Sequence, residues 1–228
     1  MPAPPFVPGA VLRKPVALGR ATAVLLGLVI ATDLFACYAD LLELNVAGDV
    51  AAGARGAGVL NRAFHADAVY RWAGFTHAWT MLATAVVYLC WLWRVRVNAE
   101  VFDASAHSLG RGWTIGGWFC PVVQLWFPRR IVLNAWDASV PWGERARHRA
   151  VNAWWTLWII SVLTGRLASL SWSHAHTARL LRNAAGQMLF SDAVDIAAAV
   201  LAIVVVVRLT GMQDRKALAG PVPVPVFG

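Results

Sequence analysis

Four long apolar stretches, separated by polar segments that carry arginine, constrain this chain more than any other feature. They run over about residues 16–38, 72–93, 151–170 and 189–209. A bilayer core about 30 Å thick is crossed by about 20 apolar residues in helical form, and each stretch reaches roughly that length. The sequence therefore predicts an all-α integral membrane protein with four transmembrane helices.

Composition agrees with the membrane class. The 228 residues are 59% hydrophobic and only 14% charged, whereas soluble domains carry about 25% charged residues. The net charge of +8 comes mainly from arginines beside the apolar stretches. Contact with the lipid bilayer and its anionic headgroups explains this charge better than nucleic-acid binding does. The cysteines Cys37, Cys90 and Cys120 show no metal-binding spacing and an odd count, so no cofactor and no disulfide framework are predicted.

The first apolar stretch has two interpretations. A basic flank and the tetrapeptide Leu34 to Cys37 resemble a secretory or lipoprotein signal. Phe35 is bulky where a small residue is usual, Asp33 interrupts the apolar region, and further apolar stretches follow, so an uncleaved span is favoured. Residues 1–15 are then a disordered tail, 16–210 a single membrane domain, and 211–228 a Pro-rich tail.

Arginine distribution predicts the orientation. Eight arginines lie between the second and third stretches, and few lie in the other two connections. Since basic residues are retained on the inner face, both termini and the middle connection are expected in the cytoplasm.

The segment Trp113 to Pro128 is apolar, yet as a helix it reaches only about 24 Å at ~1.5 Å per residue. Glycine and proline also disfavour an uninterrupted helix there. The sequence therefore predicts interfacial or re-entrant helices on the cytoplasmic face within residues 94–141, including an amphipathic helix that ends near Pro141. The signature residues of this segment are Trp113, Gly116, Gly117, Trp118, Pro121, Trp126 and Pro128.

These residues resemble a known family. The run RVRVNAE, the pattern W-x-I-G-G-W-F-x-P, the following L-W-x-P and the pair Trp136-Asp137 are similar in order and spacing to the domain of unknown function 4328 family. Its members are mainly actinobacterial multi-pass membrane proteins. The resemblance covers about residues 21–213. It implies a small four-helix membrane protein, and it brings no catalytic residues with it.

Ionisable side chains near the predicted outer half of the spans form the first candidate site. Such groups are costly in a membrane and normally face partners or water. Asp33 and Asp40 are seven residues apart and Asp192 and Asp195 three apart, so each pair shares a helix face. The predicted polar cluster comprises Asp33, Asp40, His77, Arg166, Asp192 and Asp195.

Three interpretations of this cluster remain open. In an ion-pair lock, Arg166 compensates a carboxylate of the spans. In a water-filled cavity, the cluster binds a small solute or a proton. In a metal site, His77 and a carboxylate of the fourth span combine with His174 and His176, which are weak ligand candidates because His-x-His in a polar loop is common.

The second candidate is a basic, aromatic cytoplasmic surface that includes Arg94, Arg96, Arg129 and Arg130. It would anchor lipid headgroups or dock a protein partner or a second copy of the chain. No nucleophile–base pattern is present, so no catalytic residue is predicted. The favoured function is a non-enzymatic scaffold, sensor or accessory subunit. The alternative is a small transporter or a ligand- or ion-binding membrane protein that uses the polar cluster.

Overall fold

The protein, seen in a computed structural model that describes residues 12–220, is helical and has no strand in that range. The α-helices are α1 (Val16–Ala51), α2 (Ala57–Phe102), α3 (Trp113–Phe119), α4 (Phe127–Ser139), α5 (Arg149–Ser173) and α6 (Ala178–Ala219). Short 3₁₀ turns lie at Ala104–Ala106 and Val123–Leu125. The predicted all-α class is therefore confirmed. The predicted tails include residues 1–11 and 221–228, which lie outside the described residues.

Three helices, α1, α2 and α6, are long and apolar enough to cross a membrane. This supports the membrane class. Helix α5, which contains the third predicted span, has 25 residues and would extend about 37 Å at ~1.5 Å per residue. Its crossing remains a prediction.

The long helices extend well beyond the predicted spans. The polar and glycine residues of 40–71 predict a loop that contains a short helix at about 60–70. In the structure, this region instead continues α1 to Ala51 and begins the long helix α2 at Ala57. The turn between them is short because Gly53 and Gly56 adopt φ values of +94° and +106°, a region that glycine enters without steric cost. At the other end of the chain, α6 continues to Ala219, past the predicted boundary at 210.

The described chain forms two compact units. The first unit comprises residues 12–23, 85–152 and 203–220, and the second comprises residues 24–84 and 153–202. Each of α1, α2, α5 and α6 contributes residues to both units.

A buried amide network holds the first unit. Gln213, 1% exposed, donates from Nε2 to the Val95 carbonyl at 2.9 Å and to Ser139 Oγ at 3.0 Å. Its Oε1 accepts from Asn98 Nδ2 at 3.1 Å. Asn98 in turn bonds both the N–H and the carbonyl of Arg13. Since buried polar groups are costly unless paired, this network fixes how the end of α6 packs on α2 and α4.

Helix α4 is the predicted amphipathic helix, and its apolar face is buried in the protein. Ile131, Val132, Ala135 and Trp136 are all at most 5% exposed. This face is therefore unavailable to the bilayer surface, because it packs within the first unit.

Candidate functional site

Three helices of the second unit each present a line of polar side chains. On α1 these are Asp33, Asp40 and Glu43, whose spacing of seven and three keeps them on one face. On α2, Asp67, Tyr70 and His77 repeat the same spacing in reverse order. Helix α6 contributes Asp192 and Asp195. We call the carboxyl groups of Asp33, Asp40, Glu43, Asp67, Asp192 and Asp195 the acidic track.

The deepest part of the acidic track is a triad. Asp33 is 1% exposed, and its Oδ1 lies 2.7 Å from His77 Nδ1. The contact has the distance of an ion pair, and the second carboxylate oxygen, Asp33 Oδ2, has no hydrogen-bond partner. Asp195 joins them, since one ligand-type atom from each of the three side chains lies within 4.8 Å of the others.

Ser161 of α5 orients Asp195. Its Oγ donates to Asp195 Oδ1 at 2.6 Å. Ser161 has no partner pattern in the sequence that would reveal this role, because its partner lies on another helix.

A cavity of about 170 Å³ adjoins the triad. His77, Asp40 and Asp192 line it, together with Tyr70, which stacks on Trp172 at a ring-centroid distance of 4.8 Å. Asp40 is 1% exposed. Asp40 also interacts directly with the carboxyl group of Asp192. A cavity of this size, with carboxyl and imidazole groups in its lining, has room for water or a small cation.

The acidic track ends near the turn between α1 and α2. Glu43 interacts with Asp67, whose side chain is exposed. The track therefore runs from an exposed carboxylate at Asp67 to a fully buried one at Asp33.

The track carries little compensating positive charge. Within residues 12–220, the ion pairs of its carboxylates involve His77 alone. Arg166, expected to form the ion-pair lock, is exposed and forms no ion pair in that range. The structure therefore brings together five of the predicted cluster residues (Asp33, Asp40, His77, Asp192 and Asp195) and leaves Arg166 out.

The weak metal-ligand candidates also lie apart. His174 and His176 are exposed, and neither belongs to the triad. Sequence reasoning assigned no site role to Glu43, Asp67 and Tyr70, which lie in the region that the sequence presents as a loop. The sequence signal that could have found them is their spacing of seven and three residues. This spacing places them on one helix face only if α1 and α2 continue through this region, as they do in the structure.

The predicted interfacial signature lies in the first unit, where Trp113 to Pro128 forms α3, a 3₁₀ turn and the start of α4. Gly117 is needed for close packing, because a Cβ placed there would lie 3.2 Å from the Phe127 Cβ. Trp118 packs edge-on against Tyr88 at 5.5 Å. Gly116 and Pro121 lie in α3 and just after it, and Pro128 is buried. Trp113 and Trp126 are 41% and 48% exposed.

Only some arginines of the predicted basic surface are exposed. Arg96 is 2% exposed and contacts Glu100 at 2.5 Å, so it departs from the prediction. Arg111 contacts the other oxygen of Glu100, also at 2.5 Å, so this carboxylate joins α2 to the segment before α3. Arg94 is half-buried.

Arg129 and Arg130 remain nearer the solvent. Arg129 donates to Asn152 Oδ1, and the exposed Arg130 donates to Ser108 Oγ, each at 2.8 Å. These two arginines, with the exposed tryptophans, are what the structure retains of the basic surface.

Comparison with known proteins gives one family. The family model described as a domain of unknown function (DUF4328) matches residues 56–211, which include three of the six carboxyl groups of the acidic track and the whole Trp113 to Pro128 segment. No curated protein and no solved structure matches.

Proposed function

Since the chain belongs to the domain of unknown function 4328 family, which supplies no activity, we propose a function from the geometry: the protein is a membrane protein that binds a small cation at the acidic track. The topology that we propose with it has four spans, α5 included, and both termini in the cytoplasm of a bacterial plasma membrane.

One observation carries the proposal. Six carboxyl groups converge on the faces of α1, α2 and α6, and His77 is the basic side chain that pairs with them in residues 12–220. Carboxylates in a membrane segment are costly and require compensation. Where no arginine or lysine supplies it, protons or bound cations must. A purely structural lock would pair each carboxylate with a base, as Glu100 is paired in the first unit.

The acidic track is accessible from outside, which supports reversible cation binding by its carboxylates. The exposed Asp67 marks one end of the track, and the cavity of about 170 Å³ reaches His77. We infer that a cation enters from the exposed Asp67 and passes along the row of carboxylates.

The test is the thermal stability of the purified protein in detergent with Na⁺, K⁺, Mg²⁺, Mn²⁺ or Zn²⁺, and over a range of pH. A ligand that binds the folded state at 100 times its Kd stabilises it by about 2.7 kcal/mol. We expect at least one cation, the proton included, to raise the melting temperature of the wild type, and Asp40→Asn and Asp192→Asn to reduce that rise.

Asp49→Asn is the matched control. Asp49 is an exposed residue of α1, the helix that carries Asp40. Its Oδ2 pairs with Arg62 at 2.7 Å, and it lies outside the acidic track. It should keep the full response. The proposal fails if no cation changes the melting temperature, or if Asp49→Asn reduces the response as much as the track variants do.

A second candidate, a docking surface for anionic lipid, is favoured by a different observation. Exposed apolar side chains at Trp113, Phe119 and Trp126 (41%, 71% and 48% exposed) lie in the segment that leads into Arg129 and Arg130. Aromatic rings with adjacent arginines are typical of a membrane interface with anionic headgroups.

Its test is stability in nanodiscs that contain phosphatidylglycerol or only phosphatidylcholine. The double variant Arg129→Gln/Arg130→Gln should lose the stabilisation by the anionic lipid, while Arg147→Gln, on an exposed connector, should retain it. If the double variant keeps the stabilisation by anionic lipid, this candidate is wrong. If the same proteins co-purify with the double variant and with the wild type, no protein partner binds through these two arginines.

A further inference from the structure

We propose that Asp33, His77 and Asp195 form a binding site for a divalent transition-metal cation of the Zn²⁺ class. The inference rests on the proposed cation-binding function and names the cation that the deepest part of the acidic track selects.

The donor set indicates the metal class. The triad offers one imidazole nitrogen and two carboxylates, with ligand-type atoms within 4.8 Å of one another. Mg²⁺ and Ca²⁺ prefer oxygen ligands alone, whereas a histidine nitrogen with carboxylates suits Zn²⁺, Mn²⁺ and similar ions. Neighbouring ligand atoms of a tetrahedral Zn²⁺ are about 3.4 Å apart. The side chains therefore reach a ligating geometry through shifts of about 1 Å.

The charge fits a divalent ion. Two carboxylates and a neutral imidazole carry a formal charge of −2, which a divalent cation cancels. Neutralisation matters here because Asp33 is 1% exposed within an apolar helix, where an uncompensated charge is expensive.

A buried oxygen points to a missing ligand. Asp33 is 1% exposed, and its Oδ2 has no hydrogen-bond partner, while its Oδ1 is paired with His77 Nδ1. Nearly all buried polar atoms in folded proteins are paired. A metal bound to the triad satisfies Asp33 Oδ2 directly, and a water ligand can occupy the adjoining cavity.

The support around the ligands is also present. Metal-binding carboxylates are usually oriented by a further hydrogen bond, and Ser161 Oγ supplies one to Asp195 at 2.6 Å. A carboxylate has about four lone-pair sites, so Asp195 can accept this bond and still ligate. The cavity of about 170 Å³ beside His77 leaves a coordination position open to exchange.

The test is Co²⁺ substitution in the purified full-length chain after chelator treatment. Tetrahedral Co²⁺ gives visible absorption bands, and elemental analysis counts the bound ions. The background variant His174→Gln/His176→Gln removes the exposed histidines as adventitious ligands. We expect one Co²⁺ per chain in this background, visible bands, and displacement by Zn²⁺. His77→Gln and Asp195→Asn should abolish the bands, and Asp49→Asn, outside the acidic track, should preserve them.

Ser161→Ala keeps all three ligands, and it remains informative if the ligand variants fold poorly. Loss of such a supporting hydrogen bond lowers metal affinity by about 10- to 100-fold, which would appear as a weaker Co²⁺ titration with the same bands. Bands that persist in His77→Gln, or affinity unchanged in Ser161→Ala, would overturn the site.

The two proposals can fail separately. Absence of Co²⁺ binding, with Na⁺, K⁺, Mg²⁺ or protons still raising the melting temperature, would refute the metal site and leave the cation-binding function standing. Absence of any cation response would refute both.

Discussion

The buried amide of Gln213 should be a major stabiliser of the first unit, and Gln213→Leu tests this. The substitution removes three hydrogen bonds, to Val95, Ser139 and Asn98, in a region where the side chain is 1% exposed. At about 1 kcal/mol for each net bond, the loss is about 3 kcal/mol.

Leucine is similar in size and adds apolar burial that offsets about 1 kcal/mol. The expected net loss is therefore about 2 kcal/mol. For a chain of this length, 1 kcal/mol shifts the melting temperature by about 2–4 °C, so we expect a decrease of about 4–8 °C. The assay is thermal unfolding of the purified protein in detergent, followed by tryptophan fluorescence.

A double-mutant cycle with Asn98→Leu isolates the shared bond. Because Asn98 and Gln213 belong to one network, their effects should be non-additive by about 1 kcal/mol. Arg215→Gln, an exposed position two residues further along α6, should change the stability by less than about 0.5 kcal/mol. A Gln213→Leu variant as stable as the wild type would refute the argument that this network holds the unit.

Two further predictions concern the first unit and α1. Gly19→Ala should destabilise the protein by about 1–3 kcal/mol in the same melting assay, since its Cβ would lie 2.5 Å from Thr210 Oγ1. Gly27→Ala, which has open space around it, should be neutral or stabilising. Equal effects at the two glycines would contradict the close contact at Gly19. His107, which is half-buried, has its pKa lowered by burial and by the positive charge of Arg96. His107 therefore binds a proton more tightly in the unfolded chain than in the folded one. The stability of the wild type relative to His107→Phe should fall as pH drops through about 6.5. A stability difference between the two proteins that is constant from pH 8 to 5 would exclude His107 as a source of pH dependence.

Much of the fold follows from local sequence. The apolar stretches predict the long helices, and the glycines and prolines between Trp113 and Pro128 predict the break into short helices, because these residues act on their own backbone. The spacing of Asp33 and Asp40, and of Asp192 and Asp195, correctly places each pair on one helix face for the same reason.

What the sequence could not supply depends on contacts between helices. Arg96 looks like a surface cation, but a single carboxylate, Glu100, receives both Arg96 and Arg111. Arg166 looks like a counter-ion, but the helix carries it on an exposed face.

The extent of α1 and α2 was equally hidden. Polar residues around Glu43 indicate a loop when read alone, and those around Asp67 indicate only a short helix. In the structure they belong to long helices, on which Glu43 meets Asp67 and Asp40 meets Asp192. The acidic track becomes visible only with that extension.

The central claim, that the acidic track is compensated by cations rather than by fixed bases, is tested most directly by counting bound ions. Equilibrium dialysis of the purified protein against the cation that raises the melting temperature most, followed by elemental analysis (or proton uptake, if the proton is that cation), gives the number bound per chain. The account predicts at least one ion per chain for the wild type and Asp49→Asn, and its loss in Asp33→Asn. No bound ion in the wild type, or the same number in Asp33→Asn, would contradict it.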